Sequence, residues 1–144
     1  MEQRSTGDLL DALNSIGSTK GLKAYLDELK AAGYETTLSG YYEYMLKQKD
    51  ILKKDAISRS FVDRIYAYQI IAGTRKPGRD KLIALCIGGG FTYEETKRAL
   101  EIAELGTLYS KDSRDSVIIY ALNKKLSVTS TNALLEEYGE KPLD

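Results

Sequence analysis

The sequence predicts an all-α fold, and three observations carry that prediction. Apolar residues recur at three- and four-residue spacing along most of the chain. No segment alternates apolar and polar residues over a useful length, so no sheet is expected. Pro77 and Pro142 are the only prolines, which leaves long stretches free of helix breakers. At 144 residues and 42% hydrophobic composition, the chain has material for one core.

The first expected helix spans 6–16, with Leu9, Leu10, Leu13 and Ile16 on one face, and Gly17-Ser18 breaks it. A second spans 19–32, striped by Leu22, Tyr25, Leu26 and Leu29, with Gly33 placed to cap it. A third starts after Ser39, carries Tyr41, Tyr42, Met45 and Leu46, and is interrupted at 50–52. A short helix follows over Lys53–Ser60, then a tight turn at Phe61-Val62. Asp63 is placed as the N-cap of a helix over Arg64–Ala72, which Gly73 ends.

Residues 74–79 form a basic loop around Pro77. A helix over 80–87 follows and stops at Gly88-Gly89-Gly90. Thr92-x-x-Glu95 is a capping box, in which each side chain satisfies the other's unpaired backbone donor, and it opens a helix to about 105. Helices over 113–124 and from after Ser127 to 138 complete the chain, with Gly139 as the last stop. The expected organisation is an N-terminal helical extension (1–38), a central bundle (39–106) and a C-terminal helical hairpin packed on that bundle (107–144).

Composition removes several chemistries. Histidine is absent, so a Ser-His-Asp or Cys-His relay and a His-based zinc site are excluded. Cys86 is the only cysteine, which excludes an internal disulfide or a multi-cysteine metal cage and points to a reducing compartment. Set among Leu82, Ile83 and Leu85, it is expected to be a small buried hydrophobe. No apolar run approaches the roughly 18 residues needed to cross a membrane. The expectation is a cytoplasmic protein with no cofactor or metal and no enzymatic activity.

Lysine plus arginine and aspartate plus glutamate number 21 each, but they are not evenly spread. Residues 49–81 hold nine basic and four acidic side chains, a local balance of +5 between two mildly acidic flanks. A basic segment of this kind attracts phosphate when its cations share a face.

That segment, KKDAISRSFVDRIYAYQIIAGTRKPGRDKL, resembles the DNA-binding helix-turn-helix of the XRE family, the Cro and lambda-repressor-like regulators. The resemblance runs over about 39–105. It rests on a short positioning helix, a tight turn, a recognition helix ended by Gly73, a basic loop, and the YAYQI…G…RKP…RDKLIAL run. It implies a sequence-specific regulator of transcription, more a repressor than an activator, that binds double-stranded DNA as a homodimer.

A major groove about 12 Å wide admits one α-helix and exposes base edges to its N-terminal half. The outward positions of a helix starting at Arg64 are Arg64, Ile65, Tyr68 and Gln69, the ones that the resemblance assigns to base reading. Arg64 has the chemistry to pair bidentately with guanine, Gln69 with adenine, and Ile65 or Tyr68 to touch a thymine methyl. Ala67 and Ile70 face inward, toward Ala56, Ile57 and Ser60. Lys53, Lys54, Thr74, Arg75, Lys76 and Arg79 are the expected phosphate contacts. About four such contacts give a log–log salt slope near −3.6 per protomer.

Three positions depart from the family pattern. Phe61 stands where glycine is usual in the turn, and a positive φ there costs about 1–2 kcal/mol unless burial of the ring offsets it. Leu52 replaces a polar cap, and Gly89 replaces a large apolar residue, which predicts a loosely packed junction. These departures and the overall neutrality keep a second expectation open: a helical interaction module, adaptor or antitoxin-like, that keeps the fold without strong DNA binding and takes a protein partner.

Overall fold

The computed structural model describes residues 6–31 and 37–144. The chain divides into two units, Met1–Thr36 and Thr37–Asp144. Among the described residues it is all-helical. The first unit holds α1 (Thr6–Asn14) and α2 (Thr19–Ala31). The phenol of Tyr25 on α2 donates to the Leu9 carbonyl of α1 at 3.4 Å. Leu10, Leu13, Leu22 and Leu26 are all exposed. Gly33, expected to cap α2, lies outside the described residues.

The second unit holds α3 (Leu38–Lys49), α4 (Lys53–Ser60), α5 (Arg64–Ala72), α6 (Arg79–Gly88), α7 (Tyr93–Ile102), α8 (Ser113–Asn123) and α9 (Val128–Glu137). Most boundaries follow from caps. Thr37 accepts from the Gly40 amide to start α3, two residues earlier than the pattern predicts. Asp63 accepts from the Tyr66 amide at 3.0 Å to start α5. Thr92 and Glu95 form both halves of the capping box, at 2.8 and 3.2 Å. Leu52 stands at the N-cap of α4 with no side-chain cap bond, as its apolar side chain dictates.

The central element is α6, whose residues Leu82 to Cys86 are buried without a break. Full burial of each Leu or Ile in such a run contributes about 1.5–3 kcal/mol. Neighbours cover α6 on several sides: α4 most extensively, then α7 and α9. Cys86 is completely buried, and burial holds its thiol well above the usual thiol range. It therefore packs as the small hydrophobe that the sequence predicts.

Two glycines at the end of α6 do more than stop a helix. Gly88 is the last residue of α6, not the first of a turn. A Cβ built on it would stand 2.2 Å from the Ala56 carbonyl oxygen and 2.9 Å from the Ser60 amide. Only glycine lets α4 cross α6 this closely. Gly89 was expected to leave a loose junction. Instead Phe91 occupies the space, its ring edge 2.9 Å from where a Gly89 Cβ would stand. That ring stacks on Tyr42 at 5.0 Å, and the Tyr42 hydroxyl donates to the Leu85 carbonyl at 2.5 Å. The junction is filled from the residue after the turn.

The C-terminal hairpin α8–α9 belongs to the same unit as α3–α7. Two neighbouring residues of α6 and two of α8 exchange charges. Arg79 grips Asp115 at 3.0 and 2.8 Å, and Arg114 grips Asp80 at 3.1 and 2.9 Å. Arg114 also donates to the carbonyls of Lys141 and Pro142, and the Asp144 amide donates to Asp80 at 3.1 Å. The segment after α9 thus folds back onto the start of α6.

Candidate nucleic-acid interface

The candidate site is built on α5 and the loop that follows it. On its inner side Ala67, Ile70 and Ile71 are buried in the core that also contains Ala56 and Ile57. The side chain of Ser39 on α3 donates to the Ile71 carbonyl at 2.6 Å and anchors the C-terminal end of α5. Gly73 then leaves the helix at φ 82°, with Ser39 3.3 Å from the place of a Cβ. The helix is therefore held from beneath and at both ends.

Its outer edge is open where the sequence places it, though unevenly. Arg64 and Ile65 are exposed, Ile65 by 70%. Tyr68 and Gln69 are only half-exposed. The Arg64 guanidinium lies 5.8 Å from the Tyr68 ring centre, one turn along the helix. The Gln69 side-chain oxygen is shielded from solvent and has no hydrogen-bond partner. To meet an adenine edge, that side chain must turn outward, and an acceptor with no bond to lose has little holding it in place.

The loop is braced by an aromatic ring from α5. The Arg75 guanidinium sits 4.6 Å from the Tyr66 ring centre, and the Tyr66 hydroxyl donates to the Lys76 carbonyl at 3.3 Å. Thr74 donates to the Gln69 carbonyl at 3.2 Å. Nothing in periodicity signals this role, because Tyr66 and Lys76 are ten positions apart across a turn.

The six expected phosphate contacts divide. Lys54, Thr74, Arg75 and Lys76 are exposed, and the three cations make no ion pair with a described residue. Lys53 pairs with Glu43 of α3 at 2.5 Å and remains partly exposed. Arg79 is turned inward. Its guanidinium donates to the carbonyls of Gly106 and Thr107 as well as to Asp115, so four of its five N–H groups are engaged within the fold. Arg79 thus differs from Lys54, Arg75 and Lys76 in having its charge already engaged within the fold.

Phe61 occupies the left-handed region, at φ 59° and ψ 12°. The expected compensation, burial of the ring, is absent: the side chain is 72% exposed. The ring helps line a cleft of about 550 Å³ between α4 and α5, together with Lys54, Ile57, Val62, Arg64 and Tyr68. The turn and the N-terminal half of α5 therefore border one open concavity. Among the described residues no group of His, Cys, Asp or Glu side chains is arranged to hold a metal ion.

No known family description matches this chain, and no curated protein or solved structure matches it either.

Proposed function

We propose that the unit Thr37–Asp144 is a sequence-specific binder of double-stranded DNA that regulates transcription, most simply as a repressor. In this reading α4, the Phe61-Val62 turn and α5 act as a helix-turn-helix of the XRE, lambda-repressor-like kind, and α5 enters the major groove. One observation carries it. The helix is buried along Ala67, Ile70 and Ile71 and open along Arg64 and Ile65, and Lys54, Arg75 and Lys76 on the flanking segments make no ion pair with a described residue. Arg64 and Gln69 read bases, Ile65 and Tyr68 contact methyl groups, and Lys54, Thr74, Arg75 and Lys76 hold phosphates. Lys53 joins them only by leaving Glu43.

Fluorescence anisotropy with duplexes enriched from a random pool tests the reading. With three free cations in contact, the log–log salt slope is about −2.7 per protomer. Loss of both affinity and site preference in Arg64→Ala and Gln69→Ala supports the assignment, and unchanged binding in both overturns it. As a two-fold dimer the protein would span half-sites about 34 Å apart, and sedimentation with and without a palindromic duplex measures whether two protomers bind it.

One observation favours the interaction-module reading. Tyr120 and Tyr138 are 52% and 66% exposed on α8 and at the end of α9, and with Leu134 they border an open groove. Recovery of a stoichiometric protein partner, with no salt-dependent DNA binding at low ionic strength, supports that reading over the first.

A further inference from the structure

We propose that Phe61 is a thymine-methyl contact, and that with Ile65 it makes the site prefer duplexes carrying thymine beside the base read by Arg64. The inference rests on the duplex-binding reading above and names what that site selects.

The first observation is that the ring has no task in the fold. Three other non-glycine residues among those described have positive φ: Asp50, Glu104 and Lys125. All three are charged and exposed, and they lie next to a helix end. Only at Phe61 does a bulky apolar side chain take this strained conformation, and it does so with 72% of its surface in solvent. Glycine would hold the same turn without strain and without an exposed ring. Strain that persists without a structural return marks a functional position.

The second observation is placement. Phe61 lines the same cleft as Arg64 and Tyr68, so it stands beside the N-terminal half of α5. Ile65, the residue after Arg64, is 70% exposed. Phe61 and Ile65 are thus two solvated apolar groups on either side of one arginine in sequence.

The third observation is charge. Lys54 lines this cleft beside Asp55, and Arg75 and Lys76 on the following loop are exposed and make no ion pair with a described residue. A partner that suits this surface carries anions at its rim and small apolar projections at its centre. Duplex DNA answers that description: phosphates border the major groove, and the C5 methyl of thymine is its one apolar projection. Replacing thymine by uracil removes that methyl and keeps every hydrogen-bonding group.

The test uses the full chain and a 30-bp duplex enriched from a random pool by the wild-type protein. That duplex is made again with deoxyuridine in place of thymidine. Wild type is expected to bind the uracil duplex about 3–10-fold more weakly, the effect of one or two buried methyl groups. Phe61→Gly should bind the thymine duplex about 2–4-fold more weakly than wild type, the effect of one methyl contact, and lose that part of the thymine preference while the part from Ile65 remains. Its melting temperature should rise by about 2–4 °C, because strain relief exceeds the added chain entropy.

Equal wild-type affinity for the two duplexes overturns the inference and leaves the DNA-binding reading intact. So does a Phe61→Gly variant that keeps the full thymine preference. A Phe61→Gly variant that melts lower shows that the fold needs the ring, and overturns the argument from strain. Failure to enrich any duplex overturns both the inference and the reading beneath it.

Discussion

Arg75 and Arg79 belong to one basic loop, four residues apart, and the fold treats them in opposite ways. Arg75 lies against the Tyr66 ring with its charge unpaired and in solvent. Arg79 is drawn into the junction of α6 and α8, where it bonds two backbone carbonyls and a carboxylate that is 9% exposed. A charged residue at a helix start meets whatever the next layer of structure brings to it. Here α8 brings Asp115 to Arg79, while no carboxylate of a described residue pairs with Arg75. The unit Thr37–Asp144 thus has a fixed side, where charges are matched within the fold, and an open side, where Lys54, Arg75 and Lys76 make no ion pair with a described residue.

Gly88→Ala should have the largest effect, because the new Cβ meets backbone and not a flexible side chain. We expect a loss of about 3 kcal/mol or more in urea unfolding, with DNA affinity falling as α4 shifts. Arg79→Ala comes next. It leaves the Asp115 carboxylate buried without its counter-ion, at about 3 kcal/mol of stability. The salt slope of DNA binding should not change in this variant. If it falls by about one, Arg79 touches phosphate after all and the contrast with Arg75 fails.

Arg64→Ala acts on the open side alone. Binding to the preferred duplex should weaken by about 1–3 kcal/mol with relaxed preference at one base pair, while stability stays within about 0.5 kcal/mol. Arg75→Ala is subtler: affinity falls uniformly across sequences and the salt slope loses about 0.9. A sequence-dependent effect of Arg75→Ala would move it from the phosphate rim into the reading set.

Acid probes the fixed side most gently. Burial alone would raise the Asp80 pKa, but hydrogen bonds from Arg114 and from the Asp144 amide, with the nearby positive charges, outweigh it and hold the carboxyl below its usual value. A group whose folded pKa is depressed contributes stability above its unfolded pKa and loses it as pH falls through the folded one. Unfolding titrations should therefore show a stability loss beginning below about pH 4. Asp80→Asn should flatten that part of the profile, and an unaltered profile would show that the Asp80–Arg114 pair contributes nothing.

Much of the fold was legible in the chain because its determinants are local. The capping box at Thr92-Glu95 and the Asp63 cap act over three residues, and each defines a helix start to within a residue. The inward face of α5 followed from helical period, and Ala67 and Ile70 are buried as expected. The helix stop in the glycine run was legible, but the second role of Gly88 was not, because it is a distance to Ala56, 32 positions earlier. Within the candidate site, the exposed positions Arg64 and Ile65 were legible. The half-burial of Gln69 and the brace from Tyr66 to the loop were not, since both depend on how the chain turns after Gly73.

The sequence by itself determined the helices of Thr37–Asp144, the Asp63 cap, the Thr92–Glu95 capping box and which edge of α5 turns to the core, because those preferences act within one or two turns of backbone. Only the tertiary structure decided which cations remain unpaired, how closely α4 crosses α6, and that the Phe61 ring stays in solvent. The reason is separation along the chain. The partner that withdraws Arg79 stands 36 residues further on, and no local rule reaches that far.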